Sequence, residues 1–191
     1  MENKVILPIR PTEYLFNGPS DCGVYVAKGI LSAYKRDIHE DPRDYHQSPL
    51  AKKFGWTLVG SLIAILKSFG IKAEKGFANG NTEDKIELLK SFLRAGNPVI
   101  LNIGSCYETK DRWIAKIIPH WITVWGYDET DFFVYDSSVP LDKRNLNLPI
   151  GNRKIEHQDL IWFWGAAYIF KLKSVIGRRY LYLTVKPSLK S

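Results

Sequence analysis

The stretch 17–31, NGPSDCGVYVAKGIL, constrains the fold most because it contains a helix that is apolar on nearly every side. From Cys22 to about Arg36, apolar residues recur three and four positions apart, and other apolar residues fill the remaining faces. A helix of this kind is stable only when protein surrounds it. We therefore predict that it lies at the centre of the fold, with Cys22 and Gly23 at its start.

The other predicted elements divide into early helices and late strands. A second helix is predicted at about 57–69, and a third follows the capping sequence at 81–84. The polar stretch 37–55 is predicted to form a loop. Short β-leaning runs lie at 98–104, 120–128, 131–138, 161–172 and 178–185. This order indicates an α+β fold, with N-terminal helices packed on a mostly antiparallel sheet.

Length and composition indicate one soluble domain. The 191 residues are 45% hydrophobic and 25% charged, which is typical of a globular protein with a sizeable core. We predict a single domain over 1–191, with an irregular lead-in at 1–14 and a basic strand and tail at 173–191. Because no apolar run reaches the ~20 residues of a membrane span and no signal-peptide pattern is present, a cytoplasmic location is expected.

The positive charge is concentrated near the C-terminus. The net charge is +7, and the segment 171–191 carries six lysines or arginines and no acidic residue. Such a segment can bind an acidic partner. It can also be a solvated last strand whose lysines protect a sheet edge, and we favour this interpretation. Nucleic acid is not an expected partner because no nucleic-acid-binding motif accompanies the charge.

Two residues later in the sequence can provide a base for the Cys22 thiol and a group that holds this base. A regular hairpin centred on Asp128 would place His120 directly opposite Asp136, with Cβ atoms about 5 Å apart on one face of the sheet. A carboxylate in this position holds the imidazole in one tautomer and stabilises its protonated form. Both that imidazolium and the helix dipole would favour the thiolate form of Cys22. The sequence therefore predicts a Cys22–His120–Asp136 triad. Asp21 would oppose ionisation if its carboxylate faced the sulfur.

Other reactive residues have simpler interpretations. His39 and His46 flank a run of acidic residues, but their spacing matches no standard metal site, so we predict a solvated loop and no metal. Cys106 follows a strand without a helix start, and we interpret it as incidental. Two cysteines are too few for a disulfide scaffold, and an intracellular protein is expected to keep them reduced.

Taken together, these residues resemble the papain-like cysteine peptidases. The order is Cys-Gly at a helix start, His at a strand start and Asp after the next strand, and it is most similar to the bacteriocin-processing, double-glycine leader peptidases and their standalone relatives. The matching segments are SDCGVYVAKGIL, PVILNIG, PHWITVWGYD, FFVYDSS and IEHQDLIWFWGAAYIF, within about 15–172.

The resemblance implies roles for individual residues. Cys22 would be the nucleophile, His120 the base and acid, and Asp136 the residue that orients His120, with a peptide or protein substrate and no cofactor. The family usually has a glutamine as an oxyanion donor six residues before the cysteine. Phe16 occupies that position here, and Asn17, one residue later, carries the same amide on a shorter arm. We expect Asn17 to take this role if the loop shifts by one residue.

Three functions follow from these residues. The first is a cysteine-dependent hydrolase, a peptidase that forms a thiol acyl-enzyme intermediate. The second is an acyltransferase that uses the same triad and passes the acyl group to an amine or alcohol. The third is a catalytically weakened binding module, which the replacement of the usual glutamine by Phe16 supports.

Overall fold

The structure is a computed structural model that describes residues 3–17, 20–104, 119–145, 147–166 and 180–187. Its α-helices are α1 (Cys22–Ala33), α2 (Pro49–Phe54), α3 (Val59–Ser68), α4 (Thr82–Arg94) and α5 (His157–Ala166). Its strands are β1 (Val5–Ile6), β2 (Ile71–Phe77), β3 (Val99–Ile103), β4 (His120–Tyr127), β5 (Asp131–Tyr135), β6 (Arg153–Glu156) and β7 (Leu181–Pro187). Short 3-10 helices lie at Pro42–Tyr45 and Leu141–Lys143.

Within the described ranges the strands form one sheet in the order β2-β7-β3-β4-β5-β6, and β1 pairs with β4. Every described strand pair is antiparallel, as the sequence predicts. Each residue of β4 is buried, so both faces of the sheet are covered at its centre. α1 and α3 contact each other, as do α4 and α5, and both α1 and α4 contact β4. The two helix pairs therefore cover opposite faces, and the fold is mixed helix and antiparallel sheet.

The central position of α1 is confirmed. Nine of its twelve residues are buried, including Lys28, which pairs with Asp37 at 2.9 Å. Gly29 faces the ring of Tyr135 so closely that a Cβ atom would lie 3.0 Å from the ring carbon. This glycine therefore permits the helix to lie close to β5. α4 begins as predicted, with Asn81 and Asp84 in a reciprocal capping box.

The strand prediction at 161–172 is wrong where the structure describes it. Residues up to Ala166 belong to α5, and residues from 167 onward lie outside the described part. The run IWFWGA is rich in β-formers, but short apolar runs do not distinguish helices from strands. With Leu160 included, the buried positions Leu160, Ile161 and Trp164 are spaced as on a helix face, which packs against α4 and β3.

The loop prediction at 37–55 is also incomplete, because this stretch contains the 3-10 helix and α2. Asp41 accepts a hydrogen bond from the Arg43 amide, and Ser48 accepts one from the Ala51 amide. A proline follows each of these caps at the first helical position, which is a favoured place for it. The caps were therefore visible in the sequence as Asp-Pro and Ser-Pro.

Both ends of the chain differ from their predictions. The lead-in contains β1, which pairs with the end of β4. β7 lies between β2 and β3, so the interpretation of its lysines as protection for a sheet edge is wrong. Of the basic residues in that segment, Lys186 is described and exposed, and 171–179 and 188–191 lie outside the described residues. None of the helices in the described ranges is both long and apolar enough to cross a membrane.

Candidate active site

Cys22 is the first residue of α1, as predicted, and its side chain is a half-buried free thiol. The first amides of a helix have no partners within the helix, so the Cys22 backbone N–H opens toward this end of α1. A Cβ atom at Gly23 would lie 2.3 Å from the Cβ of Thr57, so Gly23 makes room for the loop that precedes α3.

The hairpin of β4 and β5 differs in register from the predicted one. Tyr127 pairs with Phe132 next to the turn, but Val124 pairs with Val134, so Trp125 is an extra residue that forms a bulge. If the register next to the turn continued unbroken, His120 and Asp136 would face opposite sides of the sheet. The bulge returns Asp136 to the side of the sheet that carries His120, but it shifts which residues lie opposite each other. Asp136 therefore continues opposite Ile122, diagonal to His120 rather than directly across from it.

The diagonal placement still brings the predicted partners together. The His120 ring donates from Nε2 to Oδ1 of Asp136 over 2.8 Å, and a side-chain hydrogen bond joins the same ring to Cys22. Because Nε2 is used by the carboxylate, Nδ1 is the ring nitrogen that is left for Cys22. The backbone amide of Trp121 also points at Sγ, at 3.5 Å. The three residues of the predicted triad thus form one connected group, with the imidazole between thiol and carboxylate.

Asp136 is held by residues that the sequence did not single out. Arg153 donates from Nη1 to Oδ2 over 2.8 Å, and Ser138 donates from its backbone N and from Oγ to Oδ1. Asn152 exchanges two 2.8 Å hydrogen bonds with the main chain of Asp136. The Asp-Ser-Ser sequence was a local signal for Ser138, whereas Asn152 and Arg153 reach the site only through the pairing of β6 with β5.

The electrostatics of the pair follow from burial and charge. His120 is 5% exposed and the carboxylate of Asp136 is fully buried. Burial alone would lower the pKa of His120, but the charges of Asp136 and Cys22 raise it to about 10. Burial would raise the pKa of Asp136, but His120 and Arg153 hold it well below its usual range. The group therefore favours a protonated imidazole beside a carboxylate.

Asn17 lies near the site through its backbone, whose N–H donates to the Ser137 carbonyl over 3.0 Å. Its side-chain amide nitrogen donates to the backbone carbonyl of Ser20. The amide oxygen is buried and has no hydrogen-bond partner among the described residues. The amide is thus turned into the loop that leads to Cys22, and its role as an oxyanion donor stays a prediction.

The two histidines of the acidic stretch do not lie in a solvated loop, so that prediction is wrong. The ring of His46 is 2% exposed and lies 2.7 Å from Asp21. His39 is half-buried and packs edge-on against Tyr45 and Phe69. Among the described residues there is no group of three or more His, Cys, Asp and Glu side chains that could hold a metal ion. Cys106 lies outside the described part of the chain.

An imidazole between a thiol and a buried carboxylate can take the thiol proton, return it to a leaving group and remain correctly oriented throughout. The Cys22 amide, at the positive end of α1, can donate to the negative charge that would develop on a carbonyl oxygen attacked by Sγ. The chemistry that this arrangement can perform is nucleophilic attack by sulfur on an acyl group.

Comparison with known proteins supports the fold. No family model matches the chain, and no curated protein does. Among solved structures, the chain is similar to a double glycine motif protease from an AMS/PCAT transporter, which was crystallised with the leader peptide. The two sequences are 14% identical over 97% of this chain and 99% of the other, and the TM-score is 0.57. It is also similar to a C39-like peptidase from Bacillus anthracis, at 14% identity over 99% and 100% of the two chains, with a TM-score of 0.58. The chain therefore has the papain-like fold of the double-glycine peptidases, as its sequence motifs indicate.

Proposed function

We propose that this protein is a cysteine peptidase in which Cys22, His120 and Asp136 are the catalytic residues. The observation that carries this proposal is the connected group of three side chains, in which one imidazole contacts both the thiol and a buried carboxylate. Each residue alone is more often structural, but the three in contact at the start of a central helix match the requirements of a thiol nucleophile.

The proposed reaction has two halves. In the first, the Cys22 thiolate attacks the carbonyl carbon of a peptide bond, and the Sγ–C bond forms as the carbonyl oxygen becomes an oxyanion. The Cys22 backbone N–H donates to that oxyanion. The C–N bond then breaks, and protonated His120 gives its proton to the leaving amine. In the second half, His120 takes a proton from water as the water oxygen attacks the thioester carbonyl carbon. The Sγ–C bond then breaks, which releases the acyl group as a carboxylic acid and restores the Cys22 thiolate beside protonated His120.

A peptide is the favoured substrate because exposed apolar side chains lie next to the start of α1. Phe54, Trp56 and Leu58, which we call the apolar rim, are 50%, 71% and 72% exposed. The residues between them contact the start of α1, since the Gly55 carbonyl accepts from the Asp21 amide and Thr57 packs against Gly23. The rim therefore adjoins the thiol and can bind apolar side chains beside the bond to be cleaved. The similar double glycine motif protease was crystallised with a leader peptide.

The test is turnover of a mixed library of short fluorogenic peptides by the purified protein, followed by mass spectrometry of the products. We expect hydrolysis in the wild type, no hydrolysis after Cys22→Ala, and weaker binding of apolar peptides after Trp56→Ala. Hydrolysis that survives Cys22→Ala would contradict the proposal. If added amines or alcohols capture the acyl group in place of water, the acyltransferase is the correct function; no turnover together with peptide binding would indicate a binding module.

A further inference from the structure

The residue before the candidate nucleophile has an unusual backbone. Asp21 precedes α1 in the left-handed region, with φ 70° and ψ 4°, which few residues other than glycine adopt. An aspartate at this position normally has an extended backbone and accepts a hydrogen bond from the first turn of the helix, but the Asp21 side chain makes no such bond. A non-glycine residue in the left-handed region keeps this conformation only when the surrounding structure holds it there.

That support comes from the side chain of Asp21, which points away from the helix. His46 donates from Nε2 to Oδ1 over 2.7 Å, and Ser20 donates from Oγ to Oδ2 over 3.1 Å. The ring of His46 is 2% exposed, so water has little access to compete for this hydrogen bond. The backbone N–H of Asp21 donates to the Gly55 carbonyl over 3.1 Å. The residue is therefore held at its backbone and at both carboxylate oxygens.

His46 itself is placed by a rigid element. It follows the 3-10 helix Pro42–Tyr45, and its backbone N–H donates to the Arg43 carbonyl over 3.2 Å. This short helix packs against α1. The imidazole thus reaches Asp21 from a segment that rests on the same helix whose first residue is Cys22.

We propose that His46 is a positioning residue for Cys22, which extends the proposed function and rests on it. His46 acts through Asp21. By holding the carboxylate, it keeps Asp21 in the left-handed conformation that starts α1 at Cys22 and brings Sγ to His120. It also keeps the carboxylate engaged with His46 and Ser20, so the negative charge does not turn toward the thiolate.

The experiment measures how fast iodoacetamide alkylates Cys22 in the full chain between pH 6 and 8, with peptide-level mass spectrometry to separate Cys22 from Cys106. We expect His46→Ala to slow alkylation by at least about tenfold and to lower kcat more than it changes KM, because small misplacements of a reacting group are costly. His46→Gln should retain most of the rate because its amide can still donate to Asp21. His39→Ala is the matched control, since His39 packs on the same segment but does not contact Asp21, and it should leave the rate unchanged.

A second variant separates positioning from general loss of structure. Glycine adopts the left-handed conformation without a side chain to hold it. Asp21→Gly in the His46→Ala background should therefore restore much of the alkylation rate. The proposal is overturned if His46→Ala reacts like the wild type, or if it reacts slowly and Asp21→Gly restores nothing. Since alkylation needs no peptide, these outcomes are distinct from failure of the proposed peptidase, which would appear as absent turnover in a wild type whose Cys22 still reacts quickly.

Discussion

Two histidine–aspartate pairs lie near Cys22, and they are similar in geometry but differ in what they contact. His120 lies 2.8 Å from Asp136, and His46 lies 2.7 Å from Asp21; both rings are almost completely buried. The ring of His120 is also hydrogen-bonded to the side chain of Cys22, whereas the bond from His46 ends at Asp21, the residue before Cys22. The two pairs therefore differ in whether the imidazole itself contacts the thiol.

The support behind the two carboxylates also differs. Asp136 is fully buried and receives an arginine and a serine in addition to its histidine, so its charge is balanced inside the protein. The side chain of Asp21 is 12% exposed and receives a histidine and a serine. We infer that the first pair is built to keep a buried charge in place during a reaction, and the second to hold a backbone conformation.

The largest contrast is expected when each histidine is removed. His120→Ala should lower kcat/KM for peptide hydrolysis by about 10,000-fold or more, because it deletes the group that activates the thiol and protonates the leaving amine. His46→Ala should cost far less, since it displaces the thiol without removing any reacting group. Kinetic assays of both variants under saturating and limiting peptide check this order. Equal losses would show that the two pairs do not have separate roles.

The two aspartates give the next contrast. Asp136→Asn should lower kcat by about 100-fold to 10,000-fold, because an amide neither fixes the same imidazole tautomer nor stabilises the imidazolium. Asp21→Asn should have little effect, since asparagine tolerates the left-handed conformation and its carbonyl can still accept from His46. Single-turnover kinetics of the two variants is the measurement. A severe loss in Asp21→Asn would mean that the charge of Asp21, rather than its conformation, matters.

Arg153 provides a smaller test of the support behind the first pair. Arg153→Met should reduce the free energy of unfolding by about 1.5–3 kcal/mol, because it removes a charged hydrogen bond to a buried carboxylate. The matched control is Lys154→Met on the same strand, which breaks an ion pair between the exposed Lys154 side chain and Asp131. It should have a smaller effect, because Thr130 still donates to the same carboxylate oxygen of Asp131. Chemical denaturation of both variants tests this, and equal stability would contradict it.

The pH dependence of stability tests the charge of the first pair as a whole. The pKa of His120 rises from 6.5 to about 10 on folding, so the folded state binds more protons than the unfolded chain between these values. The stabilisation from this group is complete below pH 6.5 and is lost as pH rises through about 10. The lowered pKa of Asp136 acts in the other direction, and its contribution is lost as pH falls below 3.8. The free energy of unfolding, measured from pH 6 to 10, should therefore fall as pH rises, and this fall should be smaller in His120→Ala.

The sequence predicted the parts of the site that carry local signals. Cys22 was found through the periodicity of a buried helix, and His120 and Asp136 through their positions on two strands joined by a turn. Their contact was predicted for an incomplete reason, because a regular hairpin was assumed and the Trp125 bulge was not visible. The prediction that His120 and Asp136 lie on the same side of the sheet is correct, whereas the predicted register is not.

The missed features depend on contacts between distant residues. Nothing near Arg153 in the sequence indicates that β6 will bring it to Asp136. The burial of His46 depends on the packing of the 3-10 helix against α1. β2 was missed because charged residues interrupt its run IKAEKGF, which suits a strand at the edge of a sheet but leaves no continuous apolar stretch to mark it.

The bulge at Trp125 also has a consequence for how this hairpin can change in length. β4 carries one residue more than its partner needs, so deletion of a residue at this point would leave a regular hairpin with the same pairs between its outer halves. Insertion of one more residue would instead require a second bulge, or Asp136 would move to the far side of the sheet from His120. The number of residues between His120 and Asp136 can therefore decrease by one more easily than it can increase by one.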